Sequence, residues 1–185
     1  MTRDLSSLLQ VSKAYILPPM NGSNSPALPG RVASLHLHSP EPRTPLQSVE
    51  SVEVIEAKGI LGEPRYFARK RKDGQPSKRQ VTLVEREQLS VHAAALGLET
   101  IPPGAVRSNI ETLGIDLISL IGRDIQIGEA ILHLYAPRDP CEQMDAICQG
   151  LRELMLNQKQ GVLAQVIQRG KIRVGDAILP LEKNR

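Results

Sequence analysis

The sequence predicts a mostly β fold of the α+β class, an antiparallel barrel or curved sheet with a few flanking helices. Three observations point there. Short runs in which apolar and polar residues alternate recur along the chain, with glycine-containing turns between them. Few segments carry helical spacing, and strands at this interval with few helices build barrels or curved sheets. Hydrophobic residues make up 41% of the 185-residue chain but aromatics only 2%, so the core is built from Leu, Ile, Val and Ala. That length suffices for one ordinary domain with a sizeable core.

Taken in order, residues 1–30 read as a loosely held arm. Their second half, "PPMNGSNSPALPG", is linker chemistry. The domain is expected over 31–185. "RVASLHLHS" alternates, with Ala33, Leu35 and Leu37 on one face and Ser34, His36 and His38 on the other. "SVEVIEAKG" reads as a second strand ending at Gly59. "RQVTLVE" (79–85) gives a third, leading into a helix over about 85–97 that Gly97 closes. "RDIQIGEAILHLYA" reads as a hairpin turning at Gly128–Glu129. A helix is expected at 139–158, and "GVLAQVIQRGKIRVGDAILPL" supplies two more strands around Gly170 and the turn at Gly175–Asp176.

Charge and composition narrow the function. Lys plus Arg is 23 against 20 acidic residues, a net charge of +3, too small a surplus to argue for nucleic-acid binding. The scarcity of aromatics also removes the stacking platforms of single-strand binders. An anionic small molecule remains within reach of a few well-placed arginines. No apolar run approaches the ~18 residues of a membrane span. Two cysteines make no disulfide framework or zinc pattern, and the N-terminus lacks a signal-peptide pattern, so a reducing cytoplasm is expected.

The stretch "PRDPCEQMD" (137–145) places Cys141 where helix-start signals converge. Asp139 suits the N-cap, Pro140 the first helical position, and Glu142 lies three residues after the cap. Free backbone N–H groups, the positive dipole end and Arg138 would all favour the thiolate, the nucleophilic and metal-ligating form. Alternatively, Cys141 begins the buried stripe of Met144, Ile147, Cys148, Leu151, Leu154 and Met155. Cys148, mid-stripe, reads as core packing. The two cysteines would stand about 10 Å apart along a helix, too far for a disulfide. His36 and His38 share one strand face but show no third metal ligand, and His92 and His133 stand alone.

Several segments together resemble a family. "GAVRSNIETLGIDL" (104–117), "IGRDIQIGEAILHLYAPRDPCEQM" (121–144) and "GVLAQVIQRGKIRVGDAI" (161–178) follow, in order and spacing, the pattern of MOSC domains. These are named after the C-terminal domain of molybdenum cofactor sulfurase. "KGILGEPRY" (58–66) and "RQVTLVEREQL" (79–89) match earlier family segments, so the resemblance covers about 31–180. It implies a MOSC-type β-barrel that binds the molybdenum cofactor, a molybdopterin with an anionic phosphate. By the same resemblance, Cys141 matches the cysteine that ligates molybdenum or carries sulfur, and Arg107 and Asn109 match cofactor-site positions. Lys58, Arg65 and Arg79 match basic positions suited to the phosphate, with Arg138 nearby.

Where the family often has Gly-Asp, this chain has Gly62–Glu63–Pro64. No aminotransferase-like domain is present, so pyridoxal phosphate is not expected. Two functions fit. One is an oxidoreductase that takes oxygen from a small N-hydroxylated or similar substrate with electrons from a separate protein. The other is a carrier of the cofactor, or of a persulfide on Cys141, that works with a cofactor-delivery partner.

Overall fold

The computed structural model describes residues 29–41 and 44–182. The expected arm at 1–30 falls outside the described residues except for Pro29 and Gly30, and Gly30 already belongs to the first strand. The strands are β1 (Gly30–Leu37), β2 (Gln47–Val49), β3 (Ser51–Ile55), β4 (Gly59–Ile60), β5 (Val81–Glu85) and β6 (Ile110–Leu113). They continue as β7 (Asp124–Ile127), β8 (Ala130–Pro137), β9 (Val162–Gln168), β10 (Gly170–Arg173) and β11 (Ala177–Pro180). Helix α1 (Arg86–Ala95) follows β5, and a short α2 (Leu151–Leu154) precedes β9.

Seven strands close on themselves in the order β11-β7-β8-β9-β5-β6-β1, with β1 pairing back to β11 and β2 appended at β1. A small sheet, β10-β3-β4, packs beside them. Every pairing is antiparallel except β5–β6, which α1 bridges as a crossover. Alternation fills the barrel: Val81 and Leu83, Leu132 and Leu134, Val162, Ala164 and Val166, and Ile125 and Ile127 are buried in one cluster. Val84 points the other way. It joins Leu89 and Ala93 of α1 with Ile101, Val106, Met144, Leu151 and Met155 in a second core outside the barrel. Each fully buried aliphatic of this size contributes about 1.5–3 kcal/mol.

Four expectations change. In β1 the register slips between Val32 and Ser34, so Ala33 is the extra residue of a bulge. Val32 and Leu35 therefore share the core face, while His36 and His38 lie on the opposite face and are buried there. The strand expected over "SVEVIEAKG" turns at residues 56–58 and returns as β4. The C-terminal stretch forms three strands, β9 to β11, with a break at Arg169 and a turn through Gly175 separating them.

The helix expected over 139–158 is not formed. A 3-10 turn (Glu142–Met144) and α2 take its place, with Gly150 between them at φ 89°. Asp145 Oδ1 accepts hydrogen bonds from Gly150 N and Arg152 N, both at 3.1 Å, so a local cap competes with continuous helix. The stripe itself is real: Met144, Leu151 and Met155 are buried and Ile147 and Cys148 pack partly against them.

Candidate functional site

Four arginines converge at one end of the barrel. Arg79 precedes β5, Arg138 follows β8, Arg65 lies after β4, and Arg107 ends the loop between α1 and β6. Tyr66, only 3% exposed, sits among them. Arg79 and Arg65 place their guanidinium carbons 5.0 Å and 5.6 Å from its ring centre. Arg138 is 6% exposed, and its Nη1 donates to Ser108 Oγ at 2.8 Å. Arg107 Nη1 donates to the Thr44 carbonyl at 3.0 Å. The Nε atoms of Arg79, Arg107 and Arg138 are all buried without a partner, and none of the four arginines pairs with a carboxylate among the described residues.

Electrostatics record the crowding. Burial, then the neighbouring charges of Arg79 and Arg65, push Arg138 down to about 10. Burial and then Arg65 lower Arg107. Both stay cationic at neutral pH. Tyr66 and then Cys141 oppose the shift at each of them.

Beneath the arginines lies a polar framework that is fully paired. Glu63 is completely buried. Its Oε2 accepts from His38 N at 3.0 Å, His38 Nδ1 at 3.1 Å and Asn109 Nδ2 at 3.0 Å, and its Oε1 accepts from Arg65 N at 2.9 Å. Burial alone would raise this carboxyl, but the hydrogen bonds from His38 and Arg65 outweigh it and hold it below its ordinary value. His38 in turn meets the Tyr66 ring edge-on at 5.4 Å. Asn109 has no free valence for a ligand: Oδ1 accepts from Thr82 N and Oγ1, and Nδ2 donates to His36 O and Glu63. The structure thus puts Asn109 in the framework and Arg107 on its surface.

A second buried carboxylate, Glu111, supports the Arg107 loop. It accepts from Gly104 N at 2.7 Å, Arg86 Nη1 at 3.1 Å and Ser34 Oγ at 3.1 Å. His36 packs under the same loop, with Nε2 at 2.9 Å from Ser34 Oγ. Gly104 is required here. Its φ is +78°, and a Cβ would come within 2.9 Å of His36 Nδ1. Arg107 itself adopts φ 62°, a strained conformation for a non-glycine residue, and strain of this kind concentrates at ligand clamps.

Cys141 is exposed, in extended backbone at φ −110°, immediately before the 3-10 turn. A three-residue turn offers no sustained dipole, so the helix-start argument for its thiolate does not apply; the arginines are the local positive charge. Cys148 is half-buried at the second core, its thiol 3.8 Å from Gln149 O. Lys58 is exposed on the β3–β4 turn, and its side chain makes no hydrogen bond or ion pair among the described residues. His92 is buried against Lys159 O, and His133 pairs with Asp124 at 2.7 Å; neither bonds to any of the four arginines among the described residues. Among the described residues no three His, Cys, Asp or Glu side chains could together hold a metal.

With this geometry in view, comparison with known proteins is decisive for the family. The MOSC domain model matches residues 59–179. The chain belongs to the MOSC domain family. Its structure is similar to the YuaD protein of Bacillus subtilis, with TM-score 0.68 and 21% identity over 80% of this chain and 94% of that one. It is also similar to YiiM from Geobacillus stearothermophilus (TM-score 0.63, 18% identity, 84% of this chain and 76% of that one). YiiM from Escherichia coli aligns with TM-score 0.60 and 19% identity over 83% of this chain and 70% of that one. At these identities the likeness concerns the fold. No curated protein matches the chain.

In this MOSC domain two cavities meet at Arg107 and Gln143. One, of about 320 Å³, is polar and lined by His38, Glu41, Arg65 and Arg107. The other, of about 640 Å³, is mostly apolar. Sequence reasoning missed Tyr66, Glu63, His38 and Glu111 as builders of the site. Tyr66 carried a usable signal, since it is one of only three tyrosines and follows Arg65 directly.

Proposed function

We propose that the arginine cluster binds the molybdenum cofactor, with its anionic phosphate held among Arg65, Arg79, Arg107 and Arg138 and with Cys141 as the protein's ligand to the metal. The observation that carries this reading is Arg138, a buried cation with no counter-charge among the described residues and an unpartnered Nε. Burying an unpaired charge is costly, so a protein that retains one has an anion to place against it. Arginine suits phosphate because its planar fork donates two parallel hydrogen bonds. The donor set fits the metal as well. One exposed thiol supplies a soft ligand, and since no converging protein set is found among the described residues, the other ligands would come with the cofactor.

When bound, the cofactor supplies oxygen-atom and two-electron chemistry. This chain's residues do the rest. The arginines hold and orient the anion, Tyr66 and the Glu63 framework fix the arginines, and the cleft beside Arg107 admits a small molecule. We read the protein as an oxidoreductase domain that takes its electrons from a separate donor protein. The exposure of Cys141 favours a second reading, a carrier that passes cofactor or persulfide sulfur to a partner. The test is molybdenum and pterin content after purification from a host that makes the cofactor. Wild type should carry both, Cys141→Ser should lose molybdenum before pterin, and Arg138→Met should lose both. Wild-type protein free of pterin would overturn the reading.

A further inference from the structure

The larger cavity has features that the arginine cluster does not explain. Its walls are Pro45, Leu46, Pro102, Pro103, Ala105 and Ile147, and its volume of about 640 Å³ lies in the usual range for small-molecule sites. The walls are stiff. Proline fixes its own backbone angle, Gly104 N is tied to Glu111 at 2.7 Å, and Arg86 Nη1 holds the Ile101 carbonyl at 2.9 Å. The cleft is therefore formed before any ligand arrives. Two charged side chains border it. Glu142 is exposed and solvated. Arg107 is half-buried, with one N–H committed to Thr44 O and a buried Nε that has no partner among the described residues.

An apolar chamber bounded by an uncompensated guanidinium is complementary to an amphiphilic anion. We propose that this cleft binds a small organic acid, its apolar body of one or two rings between the proline walls and its carboxylate on Arg107. The site goes beyond the cofactor reading: of the cleft residues only Arg107 belongs to the arginine cluster, and the acid needs no metal to bind. Its position beside Gln143, two residues from Cys141, makes it the natural seat for a substrate of that thiol-bearing edge.

The test is calorimetric titration of the full chain, free of cofactor and at low salt, with 2-naphthoate. Comparison titrations use acetate, 2-naphthalenemethanol, 2-naphthylmethylamine and inorganic sulfate. Naphthoate should bind at least about tenfold more tightly than acetate, which lacks the body, or the alcohol, which lacks the charge. Ala146→Trp fills the cleft from an exposed wall position and should weaken naphthoate about tenfold while leaving sulfate unchanged. Arg107→Gln should weaken both. Tighter binding of the amine would assign the head-group contact to Glu142 and overturn the proposal. So would naphthoate binding that Ala146→Trp leaves intact, or the absence of naphthoate binding in protein that still takes sulfate. Naphthoate binding without sulfate binding would instead count against the arginine cluster as a phosphate site and leave the cleft standing.

Discussion

The floor of the site and its rim treat positive charge in opposite ways. On the floor, Arg86 reaches Glu111 at 3.1 Å, and the carboxylate is fully buried with further donors from Gly104 and Ser34. At the rim, Arg138 is more enclosed than Arg86, but among the described residues its one side-chain hydrogen bond goes to a neutral hydroxyl, Ser108 Oγ. Paired charge fixes a loop in place; unpaired charge is held ready for something else. The difference separates architecture from function within one layer of the molecule, and substitution in each region should have opposite effects on stability.

The largest effect is expected on the floor. Glu111→Ala removes the partner of Arg86, Gly104 N and Ser34 at once, and breaking a buried pair in this way costs about 3–5 kcal/mol. Urea unfolding measures it. If the variant does not fold, Glu111→Gln, which keeps an acceptor, should be recovered folded with a smaller loss. A loss under about 1 kcal/mol would show that the floor is solvated and the contrast with the rim is false.

The rim should respond with the other sign. Arg138→Met removes an unpaired buried charge and keeps much of the volume, so stability in sulfate-free buffer should hold or rise by about 1–2 kcal/mol. Sulfate, which should raise the wild-type Tm, should then have little effect. If Arg138→Met instead loses stability as Glu111→Ala does, Arg138 is compensated and the anion reading loses its main support.

How much of this was legible in the sequence depends on how far apart the partners lie. Alternation located most strands, since each buries residues two apart. The bulge at Ala33 was not legible because one extra residue leaves no mark on composition, yet it decides that Val32 and Leu35 share the core face. The stripe from Met144 to Met155 was visible, but its spacing could not reveal that Asp145 caps a new turn at Gly150. Of the site, the motif positions yielded Arg65, Arg79, Arg107 and Arg138. Their supports were hidden. Glu63 meets His38 across 25 residues and Ser34 meets Glu111 across 77, contacts set by strand register rather than by any local pattern.

A pH titration of stability sharpens the same comparison. His36 belongs to the floor, and burial, despite the opposing charge of Glu111, lowers its pKa below the ordinary 6.5. The unfolded chain then binds a proton that the folded one refuses. Stability is full above about 6.5 and is lost as pH falls toward the folded value. Glu63 has a depressed pKa too, so its contribution is present above the ordinary 4.5 and is lost only as pH falls through its lower folded value. Glu85, raised by burial, acts oppositely and loses stability as pH rises through its folded value. His36→Gln should remove the earliest decline, the one that begins near 6.5, and leave the acid limb in place. Identical curves for the two proteins would mean that His36 takes up its proton in the fold without cost.

The smallest effect concerns the two thiols, which test where the rim ends. Cys141 is exposed three residues after Arg138, whereas Cys148 lies half-buried against the second core. Cys148→Ala removes only a partial apolar contact, so its cost should be about 0.5 kcal/mol, with molybdenum content unchanged. In native protein, iodoacetamide should alkylate Cys141 readily and Cys148 at least about tenfold more slowly, because partial burial restricts access to the sulfur. Unfolding should erase that ratio. Equal native rates would show that the segment after the 3-10 turn opens freely, and the rim would then rest on a mobile base rather than on the packed second core. A Cys148→Ala protein that folds but loses its molybdenum would extend the functional edge beyond Cys141 and redraw the boundary between the two regions.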